Sequence, residues 1–152
     1  VHSPPPQQPL VYGSFDSWIE NLDALGRDVE VELLGVENVG ADRQVAALLG
    51  LEVGAEVQRV VRLRKVGGVP FAHVVAWVPA AIAARYDHSA LKSVQMMSLL
   101  ERAGCRPASA EQWISAHASP PEVAAAFDMS SAEPIMLLEQ VMRDEAGAAI
   151  QF

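Results

Sequence analysis

The chain has a single cysteine, Cys105, among 152 residues. No internal disulfide can form, so the fold must be held by burial, and a reducing cytoplasm suits it. Basic residues are also scarce: 11 Lys and Arg stand against 19 Asp and Glu, a formal net charge of -8. Duplex DNA is gripped by clustered Lys and Arg, so a domain this acidic does not hold nucleic acid by itself. Small anions are not excluded, because two well-placed arginines suffice for one ligand. Aromatics make up only 6%, which leaves core filling largely to aliphatic residues. No apolar run approaches the roughly 20 residues of a membrane span. No basic segment followed by an apolar stretch opens the chain, so no signal peptide is read. The expectation is a cytoplasmic protein with no membrane partner.

Signatures of catalysis and metal binding are missing as well. The four histidines, His2, His73, His88 and His117, are scattered and lack cysteine or carboxylate partners at ligand spacing. No glycine-rich phosphate loop precedes a helix, and no G-x-S-x-G elbow occurs. Nothing near Cys105 activates it, so it reads as a packed thiol. The sequence calls for no metal, no cofactor and no enzyme.

With 51% apolar and 20% charged residues the chain is globular, and its length suits one domain. Residues 1–10, VHSPPPQQPL, cannot form a helix or a central strand, because three successive prolines remove donors and favour extended geometry. They read as an interdomain linker to something upstream, with residues 11–152 as the domain proper.

Ser14 to Leu25 reads as a helix, followed by a strand over Asp28 to Val36 and a short helix over Ala41 to Leu49. Val57 to Val66 and Val69 to Val78 flank Gly67-Gly68, a hairpin signal because paired glycines supply positive φ. Ala80 to Tyr86 and Gln95 to Ala103 read as helices, Gln112 to Ala118 as a strand, and Pro120-Pro121 opens a helix through Phe127. Ile135 to Arg143 is a strand, Glu145 to Gly147 a turn, and Ala148 to Phe152 the start of another strand. Hairpins dominate and β-α-β alternation is absent, which predicts an α+β fold with a mostly antiparallel sheet and helices packed on it.

The most informative local feature is Arg59-Val60-Val61-Arg62-Leu63-Arg64. In a strand Arg62 and Arg64 share a face, with Val61 and Leu63 on the other. Two adjacent guanidiniums repel unless an anion or carboxylates lie between them, and Arg suits bidentate capture of carboxylate or phosphate. A solvated or salt-bridged strand surface would look the same in sequence. The cross-strand partner depends on the hairpin. A two-residue loop sets His73 opposite Arg62, whereas a three-residue loop with a bulge sets Val74 there.

The order of motifs resembles the UTRA domain, the effector-binding half of HutC-type regulators of the GntR family. The resemblance is carried by Ser14-Phe15, by Ala46 to Val53, and by Val57 to Arg64. It continues through Gly68 to Phe71, Trp77 to Pro79, Leu99 to Glu101 with Gly104, Ile114 to Ala116, Pro134 to Leu138, Asp144 to Gly147, and Ile150. It spans residues 11 to 152. It implies the chorismate lyase-like fold, a homodimer, and a winged helix-turn-helix that would precede residues 1–10 in a full-length regulator. Members of the family continue past Phe152 with another strand.

By the same resemblance Arg62 and Arg64 fall on effector-contact positions, as does Ser14. Four further contact positions depart from the pattern of members that bind phosphorylated sugars. Val74 stands where Glu is frequent, Gln95 and Met97 where Ser and Tyr are frequent, and Gln151 near a Glu position. The changes favour a smaller or more apolar organic acid over a phosphosugar. His73 is a further candidate contact, and Met97 is equally at home in plain core packing. The expected function is therefore sensing of a small anionic metabolite that modulates DNA binding by the full-length protein. Two other readings remain: a chorismate lyase-like enzyme, and a dimerisation module with a vestigial pocket.

Overall fold

The computed structural model describes residues 29–152. The helix expected over Ser14 to Leu25, and Ser14 itself, lie outside the described residues. Strands β1 (Val29–Gly40), β2 (Glu56–Val66) and β3 (Val69–Pro79) form one antiparallel three-stranded sheet in that order. Strands β4 (Pro107–Ala118), β5 (Pro134–Asp144) and β6 (Ala149–Gln151) form a second. Helices α1 (Arg43–Leu49), α2 (Ala80–Ala83), α3 (Met96–Arg102) and α4 (Pro121–Ala126) lie between strands, with a 3-10 helix over His88–Lys92. The expected α+β, chorismate lyase-like arrangement is what the chain adopts.

The two sheets meet edge to edge. The N–H of Trp77 on β3 donates to the Phe152 carbonyl at 2.8 Å, and the Phe152 N–H donates to the Trp77 carbonyl at 3.0 Å. Their rings stack with centroids 5.3 Å apart. A buried cluster lies on each face. On one, Val60 and Val78 meet Tyr86, Leu91, Leu99 and Leu100 from the α2 to α3 region, with Met142 and Ile150 from the second sheet. On the other, Val57, Val141 and Phe152 pack under Val45, Ala46 and Leu49 of α1. Each cluster thus draws on both sheets, which makes the seam a core feature.

Local chemistry sets several boundaries. Asp42 caps α1 by accepting from the Val45 N–H at 2.8 Å, and Gly50 ends it at φ 67°. The helix expected over Ala80 to Tyr86 stops at Ala83. The 3-10 helix that follows was not anticipated. Its start is fixed by Asp87, whose carboxylate accepts from both the N–H and the hydroxyl of Ser89. Strand β4 begins at Pro107, five residues before the first β-rich signal, because pairing with β5 from Ser109↔Arg143 onward extends a stretch of low intrinsic strand propensity.

The β2–β3 hairpin combines both expected registers. The loop is the two-residue one, Val66↔Val69, with Gly67 at φ 56° and Gly68 at φ 77°. One strand position later the register shifts: Lys65 pairs with Pro70 and Arg64 with Ala72, leaving Phe71 as the extra residue. From there on Arg62 lies opposite Val74 and Leu63 opposite His73.

Candidate functional site

The even-numbered residues of β2 point to one face, and Gln58, Val60, Arg62 and Arg64 are all buried there. Arg62 is 1% exposed and Arg64 2%. The odd-numbered face treats its cations differently. Arg59 is 2.9 Å from Glu37, and Lys65 pairs with Glu32, all four side chains being partly open to water. The salt-bridged strand surface that sequence could not exclude therefore describes Arg59 and Lys65, not Arg62 and Arg64.

A guanidinium is expensive to remove from water, so its burial demands good hydrogen-bonding and charge complementarity. Arg62 Nη1 donates to the Val94 carbonyl at 2.9 Å, just before α3. That bond ties the centre of β2 to the segment bearing Gln95 and Met97. Gln95 is the N-cap residue of α3, and Met97 packs against the cluster on the arginine face. Val74 lies directly across from Arg62 on β3. Gln151 pairs with Met142, and its Oε1 is buried with no hydrogen bond from the described residues. Arg62, Arg64, Val74, Met97 and the Gln95 junction thus belong to one face and the elements over it.

His73 does not join them. The Phe71 bulge moves the register by one residue, so His73 pairs with Leu63 and faces the opposite side. Burial pushes its imidazole below the usual 6.5, the Glu122 carboxylate pulls it back up, and Arg59 lowers it again. The folded state therefore prefers the neutral ring. Below about pH 6.5 the unfolded chain binds more protons, so His73's contribution is intact above that pH and is lost as pH falls through the depressed folded value. Melting temperatures measured from about pH 7 to pH 5 should fall less steeply in His73→Gln than in the parent chain.

Sequence reasoning missed a polar chain on the arginine face. The Tyr86 hydroxyl donates to Gln58 Oε1 at 2.6 Å, and Gln58 Nε2 lies 3.0 Å from His88 Nε2. Burial, opposed in part by the neighbouring Arg62 charge, pushes the Tyr86 phenol up to about 12. The available signal was parity: Gln58 stands four residues before Arg62 on the same strand and so shares its face. The Val94 carbonyl, being backbone, left no signal.

Two clefts bounded by described residues open on this face. One, about 170 Å³, is lined by Met97, Met142 and residues 107–110. The other, about 120 Å³, is lined by Asn38, Glu56, Gln58, Ala80, Ala83, Ala84 and His88. Arg62 and Arg64 line neither of these two clefts. Among the described residues no group of three or more His, Cys, Asp or Glu could hold a metal ion, and no helix is long and apolar enough to cross a membrane.

Two buried guanidiniums sharing one strand face are suited to holding an anionic ligand. The sequence pattern of the UTRA domain matches residues 24–152, and the chain belongs to that family. A candidate transcriptional regulator from Streptomyces coelicolor is similar in structure, with 28% identity and a TM-score of 0.76 over 83% of each chain. The effector domain of PhnF from Mycobacterium smegmatis is similar with 24% identity and a TM-score of 0.78, over 95% of this chain and 87% of that one. In the longer PhnF structure the same match covers 63% of that chain. A ligand-binding domain of a candidate GntR-family regulator from Bordetella bronchiseptica shares the fold at 18% identity and a TM-score of 0.76, over 82% of this chain and 80% of that one.

Proposed function

We propose that the chain senses a small organic acid through Arg62 and Arg64 and, within a full-length homodimeric regulator, passes that signal to a DNA-binding part linked through residues 1–10. The observation that carries this reading is the burial of two adjacent guanidiniums on one strand face. Two positive charges held together in a low-dielectric setting attract a negative group far more strongly than the same pair in water. Val74 lies across from Arg62 and Met97 packs against the apolar cluster of the same face, which suits an acid with an aliphatic body better than a polyhydroxylated phosphate ester.

A ligand shifts the regulator only through its differential affinity for two arrangements of the dimer. The tie from Arg62 to Val94 supplies a route: an anion drawing on the guanidinium competes with that carbonyl and so bears on the start of α3. The output would be a changed spacing of two DNA-binding heads, which must match half-site separation.

The domain is read as non-catalytic. The buried polar and charged side chains among the described residues are Gln58, Arg62, Arg64 and Ser119, none of them a general acid or base at neutral pH. Tyr86, held near 12, keeps its proton there. Calorimetry against a panel of small carboxylic acids and phosphate esters is expected to give saturable binding of a carboxylic acid, one per chain. Silence across the panel would favour the dimerisation module with a vestigial pocket. Incubation with chorismate is expected to release no pyruvate, and steady release would establish the lyase instead.

A further inference from the structure

The larger cleft on the arginine face, about 170 Å³, is lined by Met97, Pro107, Ala108, Ser109, Ala110 and Met142. Ser109 is the one polar side chain on that wall, and no charged residue lines it. Its position has a local cause, because β5 has a bulged neighbour on each side at the same level. On β4 the register passes from Pro107↔Asp144 to Ser109↔Arg143, which leaves Ala108 as the extra residue. On β6 it passes from Met142↔Gln151 to Arg143↔Ala149, which leaves Ile150 as the extra residue. Bulges bend a strand and steepen its twist, so the sheet is bent where the cleft opens. The start of α3 connects this cleft to the buried arginines. Arg62 Nη1 holds the Val94 carbonyl, and Met97 follows three residues later, so its Cα lies within about 11 Å of the Val94 Cα. The unbranched thioethers of Met97 and Met142 adapt to the shape of an apolar guest.

We infer that this cleft takes the hydrocarbon body of the sensed acid, and that the acid is a straight-chain carboxylic acid of medium length. The inference deepens the function proposed above and rests on it. The carboxylate meets Arg62 and Arg64, and the chain runs past the start of α3 to lie between Met97 and Met142. Volume sets the length. A closed apolar cavity of about 150 Å³ accepts a six-carbon ring, so a cleft of this size has room for a similar number of methylenes. With the carboxyl carbon and the link past α3, the acid comes to about eight carbons. Each methylene that leaves water for the cleft tightens binding about fourfold, and the gain stops once the cleft is full.

Titration of the whole chain with butyrate, hexanoate, octanoate and dodecanoate, each below its micelle concentration, tests this. Kd should fall about fourfold per methylene from butyrate to octanoate and level off before dodecanoate. Ala110→Phe, a ring added to the cleft wall at an exposed strand position, should leave octanoate bound no more tightly than butyrate is by the parent chain. Ile114→Phe, on the same face of the same strand but outside the cleft, should keep the parent's Kd for octanoate. The Tm of both variants, read beside the Kd, separates a filled cleft from a damaged fold. Equal Kd values along the series, or tightening that runs on to dodecanoate without a break, would overturn the inference and leave the arginine site standing. So would a series that does not bind while another carboxylic acid saturates the chain. A chain that binds no acid at all would overturn both.

Discussion

Arg62→Gln is expected to weaken binding of the sensed acid by about 2–5 kcal/mol, roughly 30-fold to several thousandfold in Kd. The side chain is 1% exposed, so whatever acid it meets is shielded from water, and the missing charge cannot be replaced by solvent. Gln is two bonds too short to replace the Arg62 Nη1 donor to the Val94 carbonyl, so the Tm of the variant is measured beside its Kd to separate lost binding from lost folding. Arg64→Gln should act in the same direction. The pair should be non-additive, because both address one anionic group. Arg59→Gln is the matched control: its guanidinium stands on the opposite face against Glu37, and its loss should leave the Kd unchanged. If all three variants bind the acid equally, the buried pair is not the contact.

The second large effect concerns stability. Phe152→Ala is expected to destabilise the domain by about 3–5 kcal/mol, because it removes a buried ring that stacks on Trp77 and packs beneath α1. For a domain of this size that corresponds to a fall of roughly 6–20 °C in Tm. The two backbone hydrogen bonds to Trp77 do not need the ring, so the loss reports the packing of the seam. Met136→Ala, at a side chain 70% exposed, should shift stability by no more than about 0.5 kcal/mol. Equal effects of the two substitutions would mean that the sheets do not depend on each other at this point.

The heart of the site was legible because strand parity is a rigid rule. Once residues 57–66 are read as a strand, Arg62 and Arg64 must share a face, and Gln58 with them. The sequence could not say whether that face is wet. Arg59 and Lys65 are ion-paired at the surface, while Arg62 and Arg64 are buried, Arg62 bonding to a carbonyl 32 residues further along the chain. The position of His73 was undecidable for a related reason. One extra residue, Phe71, reverses the facing of everything after it, and no local preference for a bulge at that point is written in Val69-Pro70-Phe71-Ala72. The first half of β4 was missed because Pro107 to Glu111 carries neither β-branched nor aromatic residues, and pairing with β5 overrides that weak preference. Hairpin glycines, helix caps and apolar periodicity, all local signals, placed the remaining described helices and strands to within a few residues, but not the 3-10 helix over His88–Lys92.

Direct observation of the guanidinium groups offers the sharpest test. The Nε–H resonances of Arg62 and Arg64, sheltered from solvent exchange, can be followed by NMR while the acid found by calorimetry is titrated in. Both resonances should move together and saturate at the calorimetric stoichiometry, with the Arg59 resonance still. An acid that saturates the protein while the Arg62 and Arg64 signals stay fixed would show that its negative group is held elsewhere.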